Sequence, residues 1–284
     1  MWTNLIPVIL VVVVAASACR RPPAPTSDVV AIQSAVLPAD PIDAAWQSAP
    51  EHVAKLLLQD LVEPRLLTPS TIEVRVRART SGGEIALRLE WLDPIANDLP
   101  GPTRFPDGCA VQFPQKLAAS VPDPQMGAPG QGVTITFWRA DWQATANGRG
   151  DTIQELYPNA TVDHYPFEAR SLERGSDAQQ QMATRYAPAV GAGNRRGTHH
   201  RSAVEDLVAE GPGTLAPAAA TVSRGIGVRT KDGWAVVITR RLPDGLSPQS
   251  RTQIAFAVWE GGANEAGARK MRTGWVPLSM RGAP

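Results

Sequence analysis

Chemistry in this chain has to come from scarce residue types. Beyond the first twenty residues, methionine occurs at Met126, Met182, Met271 and Met280, and lysine at Lys55, Lys116, Lys231 and Lys270. Met126 sits in 124–130 (PQMGAPG), a loop stiffened by proline and loosened by glycine just before an apolar run. No helical or strand period assigns it to a core. Lys270 ends the Gly- and Ala-rich stretch 267–270 (GARK), between another apolar run and a terminal Thr-Gly-Trp. Taken alone, such a methionine reads as packing and such a lysine as a solvated surface charge. The two cysteines, Cys19 and Cys109, form no CxxCH motif and no multi-cysteine cluster. Covalent haem attachment, iron–sulfur clusters and Cys-rich zinc sites are thereby excluded. The histidines His52, His164, His199 and His200 show no HExxH spacing, and the side chains of the adjacent pair His199-His200 diverge. Neither a G-x-S-x-G elbow, a P-loop nor a dinucleotide fingerprint occurs.

The elements that must position these loops are strands. Residues 71–79 (TIEVRVRAR) alternate, with Ile72, Val74, Val76 and Ala78 on one face and charges on the other. Ser81-Gly82-Gly83 turns the chain, and 85–91 (IALRLEW) alternates again, which predicts a hairpin. Residues 133–138 (VTITFW), 234–240 (WAVVITR) and 254–259 (IAFAVW) are richer in apolar residues and read as central strands. Shorter candidates are 109–113 and 275–278. One short helix is expected at Ser202-Ala203-Val204-Glu205, a capping-box pattern, with Gly211 ending it. The stretch between Ala144 and Ala220 is poor in strand signals, and so long a loop is usually functional or an interface. The fold class is all-β: a two-sheet sandwich with long loops and one or two short helices. With 284 residues, 26 of them Pro and 24 Gly, the chain suits one large domain of many short strands. A net charge of +1 with no basic run argues against nucleic-acid binding.

Residues 5–18 (LIPVILVVVVAASA) are apolar but short of the roughly 20 residues a membrane-spanning helix needs. They read as a signal peptide over 1–18, with Ala16-Ser17-Ala18-Cys19 as a lipoprotein cleavage box and Cys19 as the lipidated residue. Arg20 and Arg21 leave open an uncleaved anchor instead. Residues 19–39, rich in proline and small polar residues, read as a tether, and 40–284 as the folded domain. The expected location is the periplasm, at the membrane through a lipid anchor.

Several segments, in order and spacing, carry a resemblance. They are 40–46 (DPIDAAW), 107–114 (DGCAVQFP), the Met126 loop, 202–215 (SAVEDLVAEGPGTL), Lys231-Asp232-Gly233-Trp234 with Arg240 and Arg241, and 256–261 (FAVWEG) leading to Lys270. Across nearly the whole mature chain, the sequence resembles the haem-binding γ subunits of the group comprising ethylbenzene dehydrogenase, dimethylsulfide dehydrogenase, chlorate reductase and selenate reductase. The fold this implies is a sandwich resembling family 9 carbohydrate-binding modules. The resemblance also implies one non-covalent haem b, with Met126 and Lys270 as axial ligands to its iron. A thioether favours the ferrous state, and an amine can ligate only after losing its proton. Two protein ligands leave no axial position for substrate, so electron transfer is implied rather than catalysis. The implied partners are an iron–sulfur β subunit, a molybdopterin-containing catalytic α subunit and a c-type cytochrome or similar carrier. Arg269 and Met271 flank Lys270, so a small loop shift would present Met271 instead. Two other functions stay open: a non-haem, carbohydrate-binding-like lipoprotein using Trp138, Trp142 or Trp259 as an aromatic platform, or a structural lipoprotein that tethers a partner.

Overall fold

A computed structural model describes residues 25–99, 101–117, 120–150, 158–159, 176–177, 202–243, 246 and 251–282. Fourteen strands, numbered in chain order, join in one hydrogen-bonded sheet that folds over on itself into two layers. The expected hairpin forms: β4 (Glu73–Ser81) and β5 (Glu84–Leu92) pair antiparallel across Gly82 and Gly83. Both glycines have positive φ, which their missing Cβ permits without strain. On β5 lies β11 (Gly233–Arg241), and on β11 lies β10 (Arg224–Arg229), both antiparallel. The other side of β4 takes β2 (His52–Lys55) antiparallel and β1 (Val29–Gln33) parallel. Beyond β1 comes β14 (Val276–Arg281).

The long strand β12 (Arg251–Trp259) connects the layers. Its first half pairs with β14, and its second half, from Ala255, pairs with β6 (Gly108–Pro114). From β6 the second layer continues through β7 (Val133–Arg139), β8 (Val204–Ala209) and the two-residue β9 (Ala216–Pro217). Also on β12 lies β13 (Met271–Arg272), which carries β3 (Leu57–Leu58). Between the layers, Val74, Val76, Leu87, Leu89 and Ile238 share a core with Val111, Phe113, Trp138, Ile254, Phe256 and Val258. Trp138 lies edge-on to both Trp91 and Trp234, at 6.2 and 5.2 Å between ring centroids. Glycine makes room for it: a Cβ on Gly227 of β10 would sit 2.2 Å from the Trp138 ring.

Two expectations change. The tether expected over 19–39 does not hold through 29–33, because β1 is an interior strand with Val29, Val30 and Ala31 buried. The charges expected on the far face of β4 and β5 do lie there, under a cover the pattern does not show. Residues 34–51 lie across them, and buried guanidinium groups satisfy that segment's carbonyls. Arg77 donates to Ala49 O at 2.6 Å and pairs with Glu51 at 3.0 Å, while Arg88 donates to Pro41 O at 2.6 Å. Trp46, fully buried, packs there on Ala86 and Val237. The helix expected from Ser202 is strand β8 instead. Edge pairing with β7 buries Val204 in the core and Leu207 and Ala209 on the outer face, which a six-residue helix could not do. An α-helix, α1 (Ala140–Ala146), directly follows β7, and one-turn 3₁₀ helices lie at Ala44–Ser48 and Gly261–Ala263.

Trp138 and Trp142 are buried, so neither can form a platform for a sugar; of the three candidates only Trp259 is half-exposed. No helix among the described residues is long and apolar enough to cross a membrane. Cys19, the signal region, Met182, His164, His199 and His200 lie outside the described residues.

Candidate functional site

Strands alternate their side chains between faces, so β6, β7, β8 and β12 each present a second set away from the core. That outer set is apolar as well: Ala110, Ile135, Leu207, Ala209 and Ala257 are buried together, with Met126, Phe137, Trp259 and Trp275 packed on them. Along β12 the outward residues Ala255, Ala257 and Trp259 alternate with the core residues Ile254, Phe256 and Val258. Small residues at the centre and large ones at the margin leave a depression. Loops close over it to give a cavity of about 650 Å³, within the size range of small-molecule and cofactor pockets.

Met126 enters this cavity from the β6–β7 connection. Its loop is fixed at several points. Gly127 N donates to Asp123 O at 2.8 Å, and Ala128 and Gln131 exchange backbone hydrogen bonds. Gln112 Nε2 donates to Pro124 O at 3.0 Å and Trp275 Nε1 to Pro122 O at 2.6 Å. Gly211 N donates to Met126 O at 2.8 Å. Met126 itself has φ 75°, a left-handed conformation that costs a side-chain-bearing residue free energy. A methionine is thus held in place against its own backbone preference.

Lys270 lines the same cavity from the β12–β13 connection, with Nζ 5.3 Å from the centroid of the Trp259 ring. Gln59, 5 % exposed, secures this loop: its backbone N donates to Lys270 O and its Nε2 to Ala268 O and Val62 O. The Trp259 indole N–H donates to Gly267 O at 3.1 Å. Burial, with a smaller push from Arg272, lowers the Lys270 amine to about 8. A free amine lone pair is therefore accessible near neutral pH. Met271, the neighbour that could have replaced Lys270, points the other way and lies in the core at 2 % exposure. The cavity wall also carries Arg104, Arg139 and Arg272, well suited to the acidic edge of a bound molecule. No sequence signal singled out Gln59 or these arginines, because their roles depend on contacts far apart in the chain.

The donor set is one thioether and one depressed-pKa amine above a flat apolar floor. It fits a planar, largely apolar cofactor whose metal takes a soft ligand and a neutral nitrogen. Cys109, the one described cysteine, is buried in the core and takes no part in this cavity.

The chain is an antiparallel-rich sandwich with an apolar cavity on one outer face. More particularly, the chain belongs to the ethylbenzene dehydrogenase family, whose model matches residues 43–271. It is 27% identical over 245 residues to the chlorate reductase subunit gamma of Ideonella dechloratans, covering 83% of this chain and 76% of that one. With a protein of Haloferax mediterranei assigned as a respiratory nitrate reductase haem subunit it shares 24% identity over 259 residues, 87% of this chain and 70% of that one. Among solved structures, a family 9 carbohydrate-binding module of Caldicellulosiruptor kristjanssonii in complex with cellotriose superposes with a TM-score of 0.41 at 9% identity. That match covers 90% of this chain and 94% of the module.

Proposed function

We propose that this chain is a haem b electron-transfer subunit of an extracytoplasmic molybdenum oxidoreductase complex, with Met126 and Lys270 as the two axial ligands. The observation that carries the reading is convergence. Two loops separated by more than half the chain line one apolar cavity, Met126 in one and Lys270 in the other. The relatives support it, one being a gamma subunit of chlorate reductase and the other assigned as a haem subunit. Haem bound here, with Met126 and Lys270 holding its iron, would supply one-electron redox chemistry. The chain's own residues do the rest. Ala110, Ala255 and Ala257 accept a flat face, and Phe137 and Trp259 bound it. Lys270 must lose its proton to ligate, and burial brings that loss within reach. Arg104, Arg139 and Arg272 can pair with carboxylates at the cofactor's edge. In this reading the chain is not the catalytic subunit. It relays electrons between an iron–sulfur subunit and an external carrier such as a c-type cytochrome, and the molybdopterin subunit does the bond chemistry. Lipidation at Cys19 and a periplasmic location complete the proposal, on the strength of the short apolar run ending in Ala-Ser-Ala-Cys.

The test is spectroscopic. Mature protein produced with ample haem should give a b-type pyridine haemochrome at one haem per chain and a low-spin ferric spectrum. Met126→Ala and Lys270→Ala should each shift it to high spin or to a water-ligated form. Folded protein that stays colourless under those conditions would sink the reading, and a wild-type spectrum in either variant would sink the ligand assignment.

A further inference from the structure

At the margin of the cavity, but outside it, three carboxylates meet. Asp93 follows β5, Asp107 precedes β6 and Glu260 follows β12, and one oxygen from each lies within 4.8 Å of the other two. Asp93 and Asp107 are fully buried, and Glu260 is half-buried, on the solvent side. Asp107 is held rigidly. Its Oδ2 accepts from Asn97 N at 2.7 Å and Trp234 Nε1 at 3.0 Å, and its Oδ1 accepts from Gly261 N at 2.9 Å. Asp93 is different. Its Oδ1 accepts from Ile95 N at 2.9 Å and lies 3.7 Å from Arg229 Nη1, while its Oδ2 is buried without any hydrogen-bond partner. Asn97 Oδ1 is likewise buried without a partner. It lies 3.4 Å, and Glu260 Oε1 3.0 Å, from the point where a Cβ on Gly262 would sit. Two buried oxygens without a donor therefore border the same carboxylate cluster, and each would be costly to leave so.

We infer that Asp93, Asp107 and Glu260, with Asn97, form a binding site for a divalent cation of the calcium type. The donors are all oxygen, which selects a hard cation over zinc or copper. Oxygens bound to one calcium at 2.3–2.6 Å lie no more than roughly 5 Å apart, and one oxygen from each of the three carboxylates meets that bound. Charge agrees as well: three carboxylates face one guanidinium, Arg229, and a divalent cation neutralises the remainder. The half-exposed side at Glu260 leaves room for waters to complete the shell. Glycine is required at 261, where a Cβ would meet Phe105 O at 1.9 Å and Asp107 Oδ1 at 3.0 Å, so the 93–107 connection and the end of β12 approach closely beside the cluster. The site ties the 93–107 connection to the end of β12. Phe105, Pro106 and Trp259, immediately beside its ligands, line the cavity wall, so the cation would brace one side of the cofactor site.

Terbium can replace calcium and reports on nearby indoles, and Trp234 donates directly to Asp107. Chelator-treated full-length mature protein should show Trp-sensitised Tb³⁺ emission that Ca²⁺ abolishes. Its Tm should rise by about 5–10 °C at a hundredfold excess of Ca²⁺ over Kd. Asp93→Asn, which replaces the unpartnered oxygen with an amide N–H₂ and keeps an acceptor for Ile95, should lose both responses. If that variant does not fold, Glu260→Gln, at the exposed side, should weaken Tb³⁺ binding at least about tenfold, since each lost carboxylate lowers calcium affinity. Wild-type protein with neither emission nor a Tm response, or a foldable variant that keeps both in full, would overturn the site.

Discussion

The two faces of the second layer are built from the same strands and serve opposite ends. Inward, β6, β7 and β12 project Val111, Phe113, Trp138, Ile254, Phe256 and Val258, large side chains that interdigitate with the first layer. Outward, the same strands project Ala110, Ala255 and Ala257, with Ile135, Phe137 and Trp259 around them, and a cavity of about 650 Å³ stands over them. Both faces are apolar, so polarity does not separate a core from a cofactor floor. Side-chain size does. A core removes empty volume because voids forfeit dispersion and transfer energy, whereas a binding floor keeps volume for its ligand.

Opposed substitutions test that difference most strongly. Phe256→Ala on the inner face should open a hole in packed core and cost about 3–5 kcal/mol, a Tm drop of roughly 8–15 °C in haem-free protein. Ala257→Leu, one residue away on the outer face, adds volume where there is room and should change haem-free stability by less than about 1 kcal/mol. Haem uptake should reverse the order: the Leu variant loses it, while any Phe256→Ala protein that stays folded retains it. Equal destabilisation by the two, measured by denaturant melts, would mean that the outer face is ordinary core.

Next in size is the effect of Lys270, the charged group placed among these apolar surfaces. Its amine titrates at about 8 in the folded chain against 10.5 for the ordinary value. Between those values the unfolded chain binds more protons, so stability of the haem-free protein should rise as pH climbs from 8 towards 10.5. Below pH 8 the folded state bears the full cost of a buried ammonium. Lys270→Leu should therefore stabilise haem-free protein at pH 7 by as much as about 3 kcal/mol and flatten the rise above pH 8, while abolishing the low-spin haem spectrum. A stability lost by removing Lys270 would show that the amine is held by compensating partners instead.

Much of the sandwich was legible because alternation is a strong local signal. The β4–β5 hairpin, β6, β7, β11, β12 and β14 all lie where the pattern places them, within one to three residues at their ends. The strands richer in apolar residues are central for two reasons: β7 and β12 carry a cavity floor on their outer face, whereas β11 has Trp46 packed over Val237. What local pattern misjudged, tertiary pairing decided: Ser202 and Glu205 look like a helix start, yet the free edge of β7 takes this segment as β8. Nor does composition show that 29–33 inserts between two strands, or that Arg77, Arg79 and Arg88 lie under 34–51. At the site, Met126 and Lys270 stand out by the resemblance and by their scarcity, not by any local pattern. Gln59, the cavity arginines and the Asp93–Asp107–Glu260 cluster gave no signal, since each is assembled from segments distant in the chain.

The smallest effect concerns the backbone beneath Met126, and it separates a residue retained for its side chain from one retained for its fit. At φ 75° a side-chain-bearing residue is strained, and the loop holds it there by the Asp123, Gln112, Trp275 and Gly211 contacts. In most positions alanine is at least as good as glycine, because glycine loses more conformational freedom on folding. Here the order should invert. Haem-free Met126→Gly should be more stable than Met126→Ala by about 1 kcal/mol, although neither can supply a thioether. The comparison cancels the lost methionine packing, since both variants lack it, and leaves the backbone preference alone. Should alanine equal or exceed glycine in paired melts, the loop relaxes freely and Met126 pays no strain to reach the cavity. Should glycine win, this loop keeps a methionine at a position whose backbone favours glycine, as expected where the sulfur, not the packing, is what the position is for.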